Sequence, residues 1–170
     1  GFVDETLWRQ VEPGTPAPRA RLRVCRTLTD AGIGCGVLMA PILPYLTDSP
    51  GQLETAVRAI AAAGARSVTP LVLHLRPGAR EWYLAWLGRG YPELVPRYHE
   101  LYGRGAYAPK TYQRSISAQV AELARRYDIG ATRPGDSRRQ PVRRTAARAG
   151  PTPAGALLRA NSQSEQLTLL

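Results

Sequence analysis

Few residue types in this 170-residue chain can carry neutral-pH chemistry: two histidines, His74 and His99, and two cysteines, Cys25 and Cys35. His74 lies in the run Leu73-His74-Leu75-Arg76, at the expected C-terminal end of a parallel strand, where α/β folds gather their active sites. With no acid or metal-binding partner in view, a half-buried strand residue is the plainer reading of His74. Arg76 is the stronger candidate, because a guanidinium at a strand end can bind carboxylate or phosphate. Cys25 and Cys35 stand ten positions apart, one in an expected helix and one at the start of an expected strand. That is neither metal-ligand nor redox-pair spacing, so both read as small buried apolar residues. Nucleotide loops, zinc spacings and nucleophile elbows do not occur, and no catalytic residue or metal ligand is assigned.

Two further segments belong at the same rim. Ala40-Pro41-Ile42-Leu43-Pro44-Tyr45-Leu46-Thr47-Asp48 ends an apolar run with two prolines, which remove sheet donors and turn the backbone away, as where a strand ends over a ligand pocket. Glu12-Pro13-Gly14-Thr15-Pro16 is a stiff acidic loop that enters the ring above the sheet if a strand precedes it; a plain turn is the competing reading.

The elements that must hold these residues follow from periodicity. From about Pro16 to Ala31, Leu22, Cys25 and Leu28 keep helical spacing among arginines and stop at Gly32. Ile33 to Leu43 is continuously apolar over a short span, which suits a strand covered on both faces. Ser49, Pro50 and Gln52 spell a capping box with proline at the first helical position, followed by the stripe Leu53, Ala56, Val57, Ile60, Ala61. Ser67 to Leu75 then gives a second strand. The order helix, Ala-Gly, strand occurs twice, as expected for two right-handed crossover units of an α/β barrel or open parallel sheet. Beyond them, aromatic stripes at Trp82, Ala85 and Trp86, at Leu94, Tyr98 and Leu101, and at Tyr112, Ile116, Leu123 and Tyr127 predict packing helices that close the end of the sheet. Residues 1–129 form one domain on this reading. Residues 130–170 form an Arg/Pro/Ala-rich tail whose composition cannot offset the entropy of ordering, so disorder is expected there.

The net charge is +10, carried almost entirely by arginine, with Lys110 the only lysine. This permits nucleic acid or another polyanion as partner without demanding one. With no signal peptide and no apolar run near the roughly twenty residues that span a bilayer, a soluble cytoplasmic protein without membrane contact is expected. The chain opens at Gly1 inside structured-looking sequence, for which a domain cut or an incomplete gene product is the simplest cause.

A set of segments goes further. Leu7-Trp8-Arg9-Gln10-Val11-Glu12-Pro13-Gly14-Thr15-Pro16, Arg21-Leu22, Ala31-Gly32-Ile33, Met39-Ala40-Pro41-Ile42-Leu43-Pro44 with Thr47-Asp48, Ala63-Gly64-Ala65 and Leu75-Arg76-Pro77-Gly78 resemble the second half of radical S-adenosylmethionine (radical SAM) proteins related to spore photoproduct lyase. The closer likeness is to the actinobacterial Rv2578c-type members, over roughly residues 2 to 128. The resemblance implies the C-terminal half of a partial (β/α)6 barrel, starting at the end of its fourth strand and carrying the fifth and sixth. In such enzymes a [4Fe–4S] cluster reduces S-adenosylmethionine to a 5′-deoxyadenosyl radical. Its three cysteines sit in a Cys-x3-Cys-x2-Cys loop that this chain lacks, so the missing N-terminal half is the implied partner and the chain alone is expected to be inactive. By the same resemblance, Met39, Ala40 and Pro41 lie near the adenine, Leu75 or Arg76 on the last strand contacts the cofactor, Arg21 pairs with its carboxylate, and Glu12 sets the rim.

The final residues Glu165-Gln166-Leu167-Thr168-Leu169-Leu170 resemble the Gln-Leu-x-Leu-Phe peptide by which bacterial replication and repair proteins dock on the DNA sliding clamp, with Leu170 in place of the aromatic. Gln166, Leu167, Leu169 and Leu170 are the candidate contacts; an incidental apolar terminus is the competing reading. The alternative function is therefore a non-catalytic nucleic-acid or sliding-clamp binding module. DNA binding by residues 130–170, with no cofactor contact by the core, would distinguish it.

Overall fold

The helix that the sequence signposts best sets the frame. In the computed structural model, which describes residues 4–12 and 14–131, Ser49 caps the helix Pro50–Ala62, accepting from the Gln52 backbone while the Gln52 side chain accepts from the Ser49 N–H. In chain order the elements are α1 (Glu5–Val11), α2 (Pro18–Asp30), β1 (Gly36–Ile42), α3 (Pro50–Ala62), β2 (Ser67–Val72), α4 (Ala79–Gly90), a 3-10 turn (Pro92–Leu94), α5 (Val95–Tyr102), α6 (Lys110–Arg126) and β3 (Gly130–Ala131). The result is a mixed α/β arrangement around a small parallel sheet ordered β1-β2-β3.

The expected strand–helix–strand unit is present. Gly36, Val37 and Leu38 pair in parallel with Ser67, Val68 and Thr69, and α3 crosses between the two strands. Each strand is entered through the same turn: Gly32 after α2 has φ 79° and Gly64 after α3 has φ 78°. A side chain would be strained at either position, and at Gly64 it would also meet the Thr29 hydroxyl at 2.8 Å. The apolar stripe of α3 buries Leu53, Val57 and Ile60 in the same core as Met39, Val68 and Val120, and α3 packs on α6. Burial on that scale contributes about 1.5–3 kcal/mol for each large aliphatic side chain.

Proline within a central strand needs an explanation, because it removes a ladder donor. Pro70 of β2 stands opposite Met39 just before the register breaks between Met39 and Ile42, and among the described residues β3 pairs with Ser67 and Val68 alone. At Pro70, then, the ladder loosens on the β1 side, and no described residue pairs with it on the other. The Ala40–Pro41 peptide in the same stretch of β1 is cis.

The structure differs from the sequence expectation in two places. Residues 5–11, expected near a strand end, form helix α1, with Asp4 accepting from the backbone N–H groups of Thr6 and Leu7. No strand precedes α2 among the described residues. Gly130 and Ala131, assigned to the tail from the sequence, form β3 beside β2. The rest of the expected tail lies outside the described residues, as do Gln166, Leu167, Leu169 and Leu170. Among the described residues no helix is long and apolar enough to cross a membrane.

Candidate functional site

The C-terminal ends of β1 and β2 carry most of the residues singled out from the sequence. Beside the end of β1 opens a cleft of about 490 Å3, walled by Met39, Pro41, Ile42 and Leu53 with Asp4 and Thr47 at its polar side. That volume lies within the range of roughly 300–1,000 Å3 usual for small-molecule sites. The polar groups around it are held by local bonds: the Thr47 hydroxyl accepts from Leu43 N–H at 2.8 Å, and the Gln52 amide donates to the Leu46 carbonyl at 2.8 Å. Met39 is buried at 1% exposure, while Ala40 and Pro41 are half-buried. Of the three, Met39 and Pro41 line the cleft and Ala40 does not.

Glu12 and Arg21 also meet, but each is the other's partner. The Arg21 guanidinium donates to Glu12 Oε2 at 2.6 Å, to the Thr15 hydroxyl at 2.8 Å and to the Pro16 carbonyl at 2.9 Å. Trp8 Nε1 donates to the same hydroxyl at 2.9 Å. The pair fastens α1 and the turn after it to the start of α2. A carboxylate ligand would have to compete with Glu12 for this guanidinium.

Beyond the end of β2 the two expected residues separate. Leu75 is buried at 2% exposure and its N–H donates to the Ala106 carbonyl at 2.8 Å, so it is a packing residue. Arg76 is exposed and makes no ion pair among the described residues, which leaves its guanidinium available to an anion. His74 is half-buried, with its ring edge-on to Tyr107 at 4.5 Å between centroids. Burial first, and the Arg76 charge second, hold its pKa below the ordinary value. The neutral imidazole is therefore favoured by the fold, and the unfolded chain binds the proton more readily. Stability is expected to fall as pH drops below about 6.5, where the unfolded histidine begins to protonate, and to level off below the folded pKa. Urea midpoints measured across that window for the native chain and for His74→Gln check this; equal slopes for the two would rule it out.

Behind the rim lies a tyrosine cluster; Tyr98 and Tyr112 were expected to pack, but the bonds made by the cluster's hydroxyls were not foreseen. The Tyr98 hydroxyl, fully buried, donates to the Pro44 carbonyl at 2.7 Å and accepts from Tyr83 at 2.9 Å. The Tyr102 hydroxyl donates to the Leu73 carbonyl at 2.8 Å, and Tyr112 donates to the Asp48 carboxylate. Burial raises the pKa of Tyr83, Tyr98, Tyr102 and Tyr112, so all four stay protonated donors. Tyr45, at φ 64°, stacks on the Arg97 guanidinium at 3.8 Å. The carbonyls of Pro44 and Leu73, just past the ends of β1 and β2, need donors, and these phenols supply them. The one available signal was the i, i+4 spacing of Tyr98 and Tyr102 on one helix face.

The described residues include no group of three or more His, Cys, Asp or Glu placed to hold a metal ion. A [4Fe–4S] cluster thus finds no ligand set among them. Cys25 and Cys35 come to line one cleft, which their spacing did not suggest: the five-residue turn between α2 and β1 brings the strand back beside the helix.

With this geometry in hand, one likeness stands out among known proteins. The chain is similar to the mycobacterial protein Rv2578c. The two are 46% identical over 144 residues, covering 85% of this chain and 41% of Rv2578c from Mycobacterium tuberculosis; the Mycobacterium bovis protein Mb2609c matches equally. Both are described only as uncharacterized proteins. ORF301 of the Acidianus two-tailed virus, also described as uncharacterized, is 32% identical over 114 residues, 57% of this chain and 38% of its own length. The chain thus spans about two-fifths of the length of Rv2578c. No family model and no solved structure matches it.

Proposed function

We propose that this chain is the C-terminal portion of a radical SAM enzyme and contributes the late strands of a partial (β/α)6 barrel. The observation that carries the reading is the sheet itself. Two helix–glycine–strand units pair in parallel, and among the described residues the outer edge of β1 has no partner strand. An unpaired parallel edge is a place where a further strand adds. The similarity to proteins more than twice as long is consistent with such a strand lying elsewhere in a whole enzyme.

On this reading the described residues shape and bind rather than supply the cluster, whose ligands lie outside them. Met39 and Pro41 offer apolar walls to the adenine, and Arg76 offers its guanidinium to an anionic group of cofactor or substrate. The net charge of +10 suits a polyanionic substrate such as nucleic acid.

The test is anaerobic reconstitution with iron and sulfide. Rv2578c from Mycobacterium tuberculosis is expected to gain the visible absorbance of an iron–sulfur cluster and, with a reductant, to release 5′-deoxyadenosine from S-adenosylmethionine. The present chain alone is expected to gain no cluster, because two thiols cannot replace the usual cysteine set. A Rv2578c that takes up no cluster, or leaves S-adenosylmethionine intact, refutes the reading.

A further inference from the structure

Cys25 and Cys35 line one cleft at the junction of α2 and β1. Cys25 sits in the penultimate turn of α2, 2% exposed, while Cys35 immediately precedes β1 and is half-buried. The turn that joins them is fixed at both ends. The Gly32 and Ile33 N–H groups donate to the Thr29 and Leu28 carbonyls, each at 2.9 Å, and the Cys35 carbonyl accepts from Arg66 N–H at 2.7 Å. Both cysteines also line one cleft of about 220 Å3 with Leu22, Val24, Val37 and Leu38. Val24 and Leu38 are 60% and 55% exposed, so the cleft reaches solvent beside the cysteines.

We propose that Cys25 and Cys35 form a reversible disulfide, a thiol-oxidation site whose reagent is a small disulfide of the glutathione type. The order of events follows from the two environments. Burial first, and Cys35 second, push the Cys25 thiol up to about 12, so Cys25 is a poor first nucleophile. Cys35, the more exposed, attacks as its thiolate. One sulfur of the reagent becomes bonded to Cys35, and the other leaves as a thiolate. Cys25 then gives its proton to solvent, its sulfur bonds to Cys35, and the second reagent thiolate departs. The two protein thiols lose two electrons and two protons, and the reagent disulfide is reduced to two thiols. The bond would tie α2 to the start of β1, the strand with the unpaired edge. This inference stands on the cysteine geometry alone and does not depend on the proposed enzyme activity.

The experiment treats the full chain, dilute and reduced, with oxidised glutathione, then reads intact mass, free thiols and peptide cross-links. The expected product has lost both thiols and two hydrogens, carries no glutathione, links Cys25 to Cys35 and returns to the starting mass with a dithiol. Cys25→Ser is expected to stop at a stable glutathione adduct on Cys35, and Cys35→Ser to leave Cys25 unmodified. A native chain that keeps glutathione on Cys35 with Cys25 still free, or that links only between molecules, overturns the proposal without reference to either variant.

Discussion

Replacing Tyr98 by alanine is expected to destabilise the fold by about 3–5 kcal/mol, the usual consequence of removing a buried aromatic ring. Tyr98 has 0% exposure and packs against Tyr45, Tyr83 and Tyr102. The loss is a large fraction of the roughly 5–15 kcal/mol that keeps a domain folded. Tyr98→Phe separates ring from hydroxyl. It keeps the packing but leaves the Pro44 carbonyl without its donor and the Tyr83 hydroxyl without its acceptor. A loss of about 1–3 kcal/mol is expected from those unsatisfied groups. Equilibrium urea unfolding of both variants measures the two contributions. A phenylalanine variant as stable as the native chain would show that the hydroxyl network adds nothing, and the account of the strand-end carbonyls would have to be abandoned.

The second large effect concerns the chain end. A peptide of the last ten or so residues is expected to bind a bacterial sliding clamp at about micromolar dissociation constant, equivalent to about 8 kcal/mol. A glutamine amide at Gln166 can bond rim backbone groups while Leu167, Leu169 and Leu170 fill an apolar pocket. Replacing Gln166 and Leu167 together by alanine is expected to abolish binding. Fluorescence anisotropy of the labelled peptide decides it. No binding at about millimolar peptide, or no difference between native and doubly substituted peptides, removes the link to DNA metabolism.

What the sequence revealed and what it hid divide along contact range. Ser49, Pro50 and Gln52 act within four residues of one another, and the capping box they spell is present. The apolar runs ending at Leu43 and Leu75 likewise placed β1 and β2 to within a few residues. At the site, the strand end from Ala40 to Asp48 was flagged by its two prolines, a local signal, whereas Met39 entered only through the family resemblance. The Glu12–Arg21 pair was hidden, since neither residue announces that α1 and α2 will meet. The partners of the tyrosine hydroxyls were hidden for the same reason: Tyr98 reaches back to Pro44 and Tyr102 to Leu73. The cysteines show the converse. Their spacing fits no motif, and only the turn at Gly32 makes neighbours of them.

The parallel sheet also carries an arithmetic of loop closure. Ser67 of β2 must find Gly36 on one side and Gly130 on the other, and the second partner is about twice as far along the chain as the first. Doubling a loop adds only about 0.6 kcal/mol of closure entropy, so topology barely distinguishes the two pairings. The difference lies in what each encloses. Joining β1 to β2 traps α3 and its stripe of Leu53, Val57 and Ile60, whereas joining β3 adds a two-residue ladder and leans on α6 for the rest. The tether to β3 therefore costs little more closure entropy than the first pairing, and among the described residues it is thin in strand contacts, so α6, rather than the strand it delivers, holds that side of the sheet together.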